Sequence, residues 1–245
     1  MPCATTSGDT MSKNTLPDWE RVLSSAAHLQ RILPDAVLVG DTASVLYANH
    51  RFSGDADRVL TDLRARFDEI QAELESVAGW KTARVNRPVQ ILGSLDGIET
   101  GVRQLMRSQP LDTTVMGYHS VKLTVPTEGE ILRIKGVLIL KRNASRDYID
   151  FVALSDHLGD EPVKEALDRF DQLYPQPNGE SALQQLQVQL ANPMPYDLEE
   201  LNLAEYKNLD PKWHDWKNVK TICAHLSIMI FDRVAGKEDG TEEHS

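Results

Sequence analysis

Apolar residues recur at helical spacing from Trp19 through Val22, Leu23, Ala26, Ala27 and Leu29 to Ile32, which predicts a helix with one inward face. Thr15, Pro17 and Asp18 supply start chemistry for that helix, with proline near the first turn and an acid where the dipole favours it. Leu33-Pro34-Asp35 breaks it and delivers the chain to a short apolar run, Ala36 to Val39, which predicts a strand ending at Gly40. A small-residue turn and a helical patch follow over Thr42 to Ala48, then a basic link, Asn49-His50-Arg51. Asp55-Ala56-Asp57 heads the next apolar run, Arg58-Val59-Leu60. Leu63, Phe67, Ile70 and Leu74 share one face of a predicted helix over residues 62–77, and Gly79 suits its end. Residues 82–95 read as a strand with Gly93 marking a bulge or a close approach. Asp96-Gly97, between Leu95 and Ile98, predicts a hairpin turn. The following strand runs to about Met106 and carries Glu99 and Arg103; a further strand is expected over 113–125, where Val121, Leu123 and Val125 alternate with polar residues.

From Pro126 onward the period is helical, over 128–142, 146–158, 162–173, 181–191, 197–207 and 215–234, with a loop at Tyr174–Gly179. The fold class this implies is α+β: a mixed β-sheet with flanking helices, followed by an all-helical C-terminal domain. The expected partition is a disordered tail over 1–14, an α/β domain over 15–125, a helical domain over 126–234 and an acidic disordered tail over 235–245. Trp213 and Trp216 flank His214 and Asp215 at the entry to an apolar helix, where packing outweighs base stacking as an explanation.

At 245 residues, with 41% hydrophobic and 26% charged positions, the chain has the make-up of a globular protein with an ample core. No apolar run reaches the roughly 18 residues that span a bilayer, so no membrane partner is expected. The first residues, MPCATTSGDTMSKNT, lack the apolar middle of a secretory signal. Cys3 and Cys223 give neither a disulfide framework nor a zinc spacing; a cytoplasmic setting is the expectation. A net charge of −11 excludes a uniformly nucleic-acid-binding surface but leaves room for a local basic patch. The seven histidines form no metal-ligand spacing.

Chemistry concentrates between Val37 and Leu60. Carboxylates at i and i+2 of an extended chain project to the same side, so Asp55 and Asp57 present hard oxygen donors to a divalent metal. An apolar strand, a glycine turn, a helix and then Asp-x-Asp on the next strand resemble the nucleotidyltransferase superfamily pattern. More narrowly, Arg51-Phe-Ser53-Gly-Asp55-Ala-Asp57 resembles the Arg-x-Ser/Thr-x-Asp-x-Asp run of the AbiEii-like nucleotidyltransferases, toxin components of abortive-infection toxin–antitoxin systems. Pro126-Thr127-Glu-Gly-Glu130-Ile-Leu-Arg-Ile-Lys135 and Arg142-Asn-Ala-Ser-Arg146-Asp147-Tyr-Ile-Asp150 are similar to that family's later motifs. The similarity covers roughly residues 30–155. It implies a nucleotidyltransferase-type sheet and Mg²⁺ on Asp55 and Asp57. It implies a nucleoside triphosphate held by Gly40, Asp41, Thr42, Arg51, Ser53 and Lys135, with Asp147 and Asp150 in support. It also implies transfer of a nucleoside monophosphate to an acceptor hydroxyl, with RNA, particularly a tRNA 3′ end, as acceptor class and a cognate antitoxin as partner.

Two positions complicate that expectation. Asp41 stands where the family has glycine or serine; a second negative charge roughly 5 Å from a phosphate costs on the order of 3 kcal/mol at an effective dielectric near 20. The third supporting carboxylate is unassigned by motif, with Glu99 the first candidate and Asp96 the second. Taken without the resemblance, Asp55 and Asp57 also read as a solvated strand face, Lys135 as a snorkelling surface lysine, and Arg146, Asp147 and Asp150 as helix-start capping with a local ion pair. Two alternatives therefore stand beside the enzyme: a catalytically impaired nucleotide- or partner-binding protein, and a small-molecule nucleotidyltransferase of the antibiotic-modifying kind.

Overall fold

The computed structural model describes residues 19–118 and 121–239. In chain order it runs α1 (Trp19–Ile32), β1 (Val37–Leu38), α2 (Gly40–Ala48), β2 (Arg58–Leu60), α3 (Phe67–Ser76), β3 (Trp80–Asn86), β4 (Gln90–Leu95), β5 (Ile98–Gln104), β6 (Thr113–Tyr118) and β7 (Val121–Pro126), then α4 (Glu128–Arg142), α5 (Ser145–Leu158), α6 (Asp160–Leu167), α7 (Phe170–Leu173), α8 (Ala182–Ala191) and α9 (Trp216–Asp239). Five of the described strands form one mixed sheet in the order β1-β2-β5-β4-β3, in which only β2 and β5 run parallel. β6 and β7 make a separate antiparallel ribbon. The α+β class with a helical C-terminal region follows directly.

Several elements differ from the sequence expectation. The run over 82–95 is two strands, because residues 87–89 turn the chain back between β3 and β4. The expected strand over 113–125 is likewise the β6–β7 hairpin. The helix expected from 62 begins at Phe67, after a turn over residues 62–66. Residues 162–173 split into α6 and α7, and 197–207 hold two 3₁₀ turns, Leu198–Glu200 and Leu203–Glu205, between which Asn202 accepts from Ala204 N–H in a local cap while Asp197 is drawn away to Ser145 N–H. α9 continues to Asp239, so the start of the expected acidic tail is helical. Thr15, Pro17 and Asp18, with the tail over 1–14, lie outside the described residues.

Turn chemistry accounts for the sheet's register. Asp96 and Gly97 both take positive φ (55° and 80°), the conformation a two-residue hairpin of this twist requires. Gly93 is a close approach: a Cβ there would stand 2.5 Å from the Lys81 carbonyl oxygen and 2.7 Å from the Trp80 ring, and β3 shifts register between Thr82 and Arg84 opposite it. One sheet face packs Ile91, Leu95 and Val102 against Leu29 of α1, Leu33 just beyond it, and Phe67, Ile70 and Leu74 of α3. The helical half gathers around Leu132, Phe151, Phe170, Leu186 and Trp213, and Ala43 of α2 joins that core. Trp213 is therefore a core residue, and Trp216 meets the Tyr148 ring edge-on.

Arg58, the residue after Asp57, points to the opposite side of its strand and is wholly buried. Its guanidinium donates to the carbonyls of Ala26 and Ala36 and to Gln30 Oε1 (2.9 Å), tying the end of α1 to β1 and β2. Burial pushes Arg58 down to about 9, which still leaves it charged at neutral pH, and these hydrogen bonds satisfy the buried guanidinium in place of a carboxylate. Arg58→Ala is expected to lower the unfolding free energy by about 3–5 kcal/mol in urea denaturation. Arg58→Lys is expected to recover little of it, since an ammonium does not reproduce the planar fork.

Candidate functional site

The site forms where the turn at Gly40 meets the chain leading into β2. Gly40 has φ 77°, and its open Cα side faces the Asp57 Cβ, so a side chain here would be strained. Val39 N–H donates to the Asp57 carbonyl at 2.9 Å, fixing the turn beside the acidic pair. Asp55 pairs with Glu99 in an isolated parallel bridge, and the β2–β5 register continues from it. Asp55 and Asp57 thus lie abreast of Glu99 and Gly101, and a Cβ on Gly101 would come within 3.4 Å of Asp57 Oδ1. The glycine is required chiefly by β4, since the same Cβ would stand 2.5 Å from the Leu92 side chain and 3.0 Å from the Ile91 carbonyl oxygen.

Asp55 is positioned by its neighbours. Ser53 Oγ donates to Asp55 Oδ1 at 2.8 Å, and Thr42 Oγ1 sits between Ser53 Oγ (2.8 Å) and the Asp55 carbonyl. Thr42 and Ser53 are wholly buried, so their hydroxyls orient the acid from behind. Arg103 Nη2 lies 3.3 Å from Asp57 Oδ2. Burial holds the Asp57 carboxyl above its ordinary value; Arg103 offsets part of that, and the Asp55 charge adds to it. Glu99 is on the neighbouring strand as expected, but exposed. Among the described residues no group of three or more His, Cys, Asp or Glu side chains is gathered closely enough to hold a metal ion. Two carboxylates on one face still fit Mg²⁺, which commonly takes one or two protein carboxylates and completes its shell with water and phosphate. Asp96, the second candidate for a third carboxylate, turns instead to His28 of α1 (2.9 Å), at the far end of the β4–β5 hairpin.

Behind the pair lies a buried ionic cluster. Thr127 caps α4 by accepting from Glu130 N–H, and eight residues beyond that cap Lys135 reaches inward, 1% exposed. It is no snorkelling surface residue. Its ammonium stands 2.5 Å from Asp150 Oδ2, 2.8 Å from Asp41 Oδ1 and 3.7 Å from Asp147 Oδ1. Arg51, also buried, reaches Asp150 through Nε (2.7 Å) and Nη2 (2.9 Å) and Asp41 through Nη2 (2.8 Å). His50 Nε2 adds a 2.7 Å contact to Asp150. Burial alone would raise the Asp150 and Asp41 carboxyls; Arg51 and Lys135 outweigh it and hold both well below the usual range. Asp147 has no hydrogen-bond partner on either oxygen among the described residues, and burial holds it above its ordinary value despite Lys135 and Arg142.

The structure therefore brings Gly40, Asp41, Thr42, Arg51, Ser53, Asp55, Asp57, Lys135, Asp147 and Asp150 into one region, in two layers rather than one. His50 and Arg103 join them and carry no motif. The adjacency of His50 to Arg51 and the two-residue alternation Glu99, Gly101, Arg103 are the signals that point to them.

No family model matches the chain. The chain is 28% identical over 238 residues to the heme uptake protein MmpL11 of Mycobacterium tuberculosis, a match covering 88% of this chain. It is 25% identical over 221 residues to the mycolic acid-containing lipids exporter MmpL11 of Mycolicibacterium smegmatis. The chain spans only about a quarter of the length of these relatives, 23% and 22%. Among solved structures, a proposed nucleotidyltransferase from Helicobacter pylori superposes with a TM-score of 0.52 at 15% identity, over 89% of this chain and 97% of that one. The fold is nucleotidyltransferase-like.

Asp150→Asn is expected to cost about 3–5 kcal/mol of stability at neutral pH, because it leaves two buried cations short of a carboxylate. A carboxyl with a depressed folded pKa stabilises fully above its unfolded value, about 3.9, and loses that contribution as pH falls through the folded value. The gap between wild type and Asp150→Asn in urea unfolding should therefore be widest at neutral pH and narrow on acidification below about pH 4.

Proposed function

We propose that this chain is a divalent-metal-dependent nucleotidyltransferase that moves a nucleoside monophosphate from a nucleoside triphosphate to an acceptor hydroxyl. The observation that supports it most is the placement of Asp55 and Asp57 on one face, beside the Gly40 turn and abreast of Glu99. Asp55 and Asp57 would hold Mg²⁺, which when bound neutralises phosphate charge and orients the triphosphate for in-line attack. Ser53 and Thr42 fix the Asp55 rotamer, so the donor atoms need no reorganisation on binding. Glu99, exposed and next to Asp55, takes the proton of the attacking hydroxyl. The acceptor oxygen bonds to the α-phosphorus, the bond from that phosphorus to the bridging oxygen breaks, and pyrophosphate leaves with its electron pair.

An anionic acceptor, RNA with a tRNA 3′ end as first choice, is favoured by the polar face of the sheet. The pairings Gly101–Leu92, Leu92–Arg84, Glu99–Ser94 and Ser94–Lys81 carry the Asp57 side of the sheet across to β3. That face bears Arg103, Arg84 and Lys81, and the latter two are exposed. On a chain of net charge −11 this is a local basic track leading away from the carboxylates. The resemblance of Arg51–Asp57 to the AbiEii-like run supports a toxin role with a cognate antitoxin as its partner.

Incubation with each labelled nucleoside triphosphate, Mg²⁺ and total RNA or protein extract tests the reaction. Transfer to RNA is expected, falling by about a hundredfold or more in Asp55→Asn and in Asp57→Asn, since loss of metal-held charge stabilisation is worth several kcal/mol. Transfer that survives both substitutions would overturn the assignment. The double variant Lys81→Glu/Arg84→Glu should weaken RNA binding severalfold and flatten its salt dependence while leaving triphosphate binding unchanged.

A further inference from the structure

The buried cations of the cluster already have an anion, and the chain supplies it. Lys135 and Arg51 are 1% and 0% exposed, whereas Asp41 is 10% exposed, which makes it the outermost member of its own ion pairs. Its two oxygens are divided between the two cations, Oδ1 to Lys135 and Oδ2 to Arg51, both at 2.8 Å. Planar oxygens shared by an ammonium and a guanidinium are the arrangement by which proteins also hold a phosphate. Asp41 follows Gly40 directly, and Gly40 abuts Asp57, so this anion seat opens toward the acidic pair. The deeper faces of the two cations are taken by Asp150, which would keep them in place if Asp41 turned away. The half-buried Arg146 also feels the Asp41 charge, but the described ion pairs of Asp41 are these two.

We propose that Asp41 is an internal ligand occupying an anion seat formed by Lys135 and Arg51, and that a phosphate group enters the seat only when the Asp41 carboxylate leaves it. The residue thereby sets the site's preference among anions. A ligand must displace a preorganised carboxylate and then tolerate its charge nearby, which disfavours free phosphates and demands that cations accompany the incoming group. The phosphate identity of the occupant rests on the nucleotide-site reading; the seat and its plug rest on the ion-pair geometry alone.

Binding of inorganic pyrophosphate without metal or acceptor, followed by calorimetry and ³¹P line broadening, isolates the seat from catalysis. Wild type is expected to bind weakly. Asp41→Gly should bind at least about tenfold more tightly, as expected for deletion of one adjacent like charge in a shielded site. Asp41→Asn, which keeps the side chain's shape, should gain less. In the Asp41→Gly background, Lys135→Gln should abolish the gain. Should Asp41→Gly fail to fold, Asp41→Asn carries the same comparison. Folded Asp41 variants that bind pyrophosphate no better than wild type, or a gain that persists without Lys135, would overturn the proposal even if wild type transfers nucleotides. A clear gain in a protein that transfers nothing would sustain the seat and overturn the reaction instead.

Discussion

Asp150 is the constraint on which the two halves of the molecule depend. One buried carboxylate on α5 receives Arg51 and His50 from the link between α2 and β2, and Lys135 from α4. Desolvating such a group is unfavourable, and the cluster is tolerable only because three donors converge on two oxygens. The same convergence joins the helical half to the segment that carries Asp55 and Asp57. A hydrophobic interface could slide by a fraction of a turn without great loss. A carboxylate with three directional partners cannot, and so the acidic pair has a defined place relative to α4 and α5.

The site is layered as a result. Its outer layer, Asp55, Asp57, Glu99 and Arg103, stands on the sheet. Its inner layer is ionic and belongs mainly to the helices. Thr42 and Ser53 link the two, since their hydroxyls meet behind Asp55 while Asp41, next to Thr42, and Arg51, two residues before Ser53, belong to the inner layer. A change at position 41 or 51 is therefore transmitted toward Asp55 by way of these two hydroxyls.

Much of this was legible in the chain. The Asp-x-Asp spacing, the glycine before a helix and the Asp96-Gly97 turn each encode their geometry locally, so reading them requires no tertiary information. What escaped was decided at long range. Lys135 reads equally well as a surface lysine, because burial depends on what α2 and α5 bring to it. Asp41 reads as an intrusion into a glycine turn, and only the converging Arg51 and Lys135 reveal what holds it. The β3–β4 hairpin reads as a single strand because its turn, residues 87–89, carries no Asn-Gly or Asp-Gly signal. Arg58 gives no sign of its role, since nothing local marks the arginine that opens this strand as a core residue facing away from the aspartates.

That orientation of Arg58 has a mechanical meaning. Neighbouring residues on one strand look in opposite directions, Asp57 into the cleft and Arg58 into the core, where it grips α1 and the chain before β1. The floor beneath the carboxylates is thus clamped one residue from where a ligand would pull on it. Any give in the site must come from the ionic cluster, where a side chain could change partners without the backbone moving.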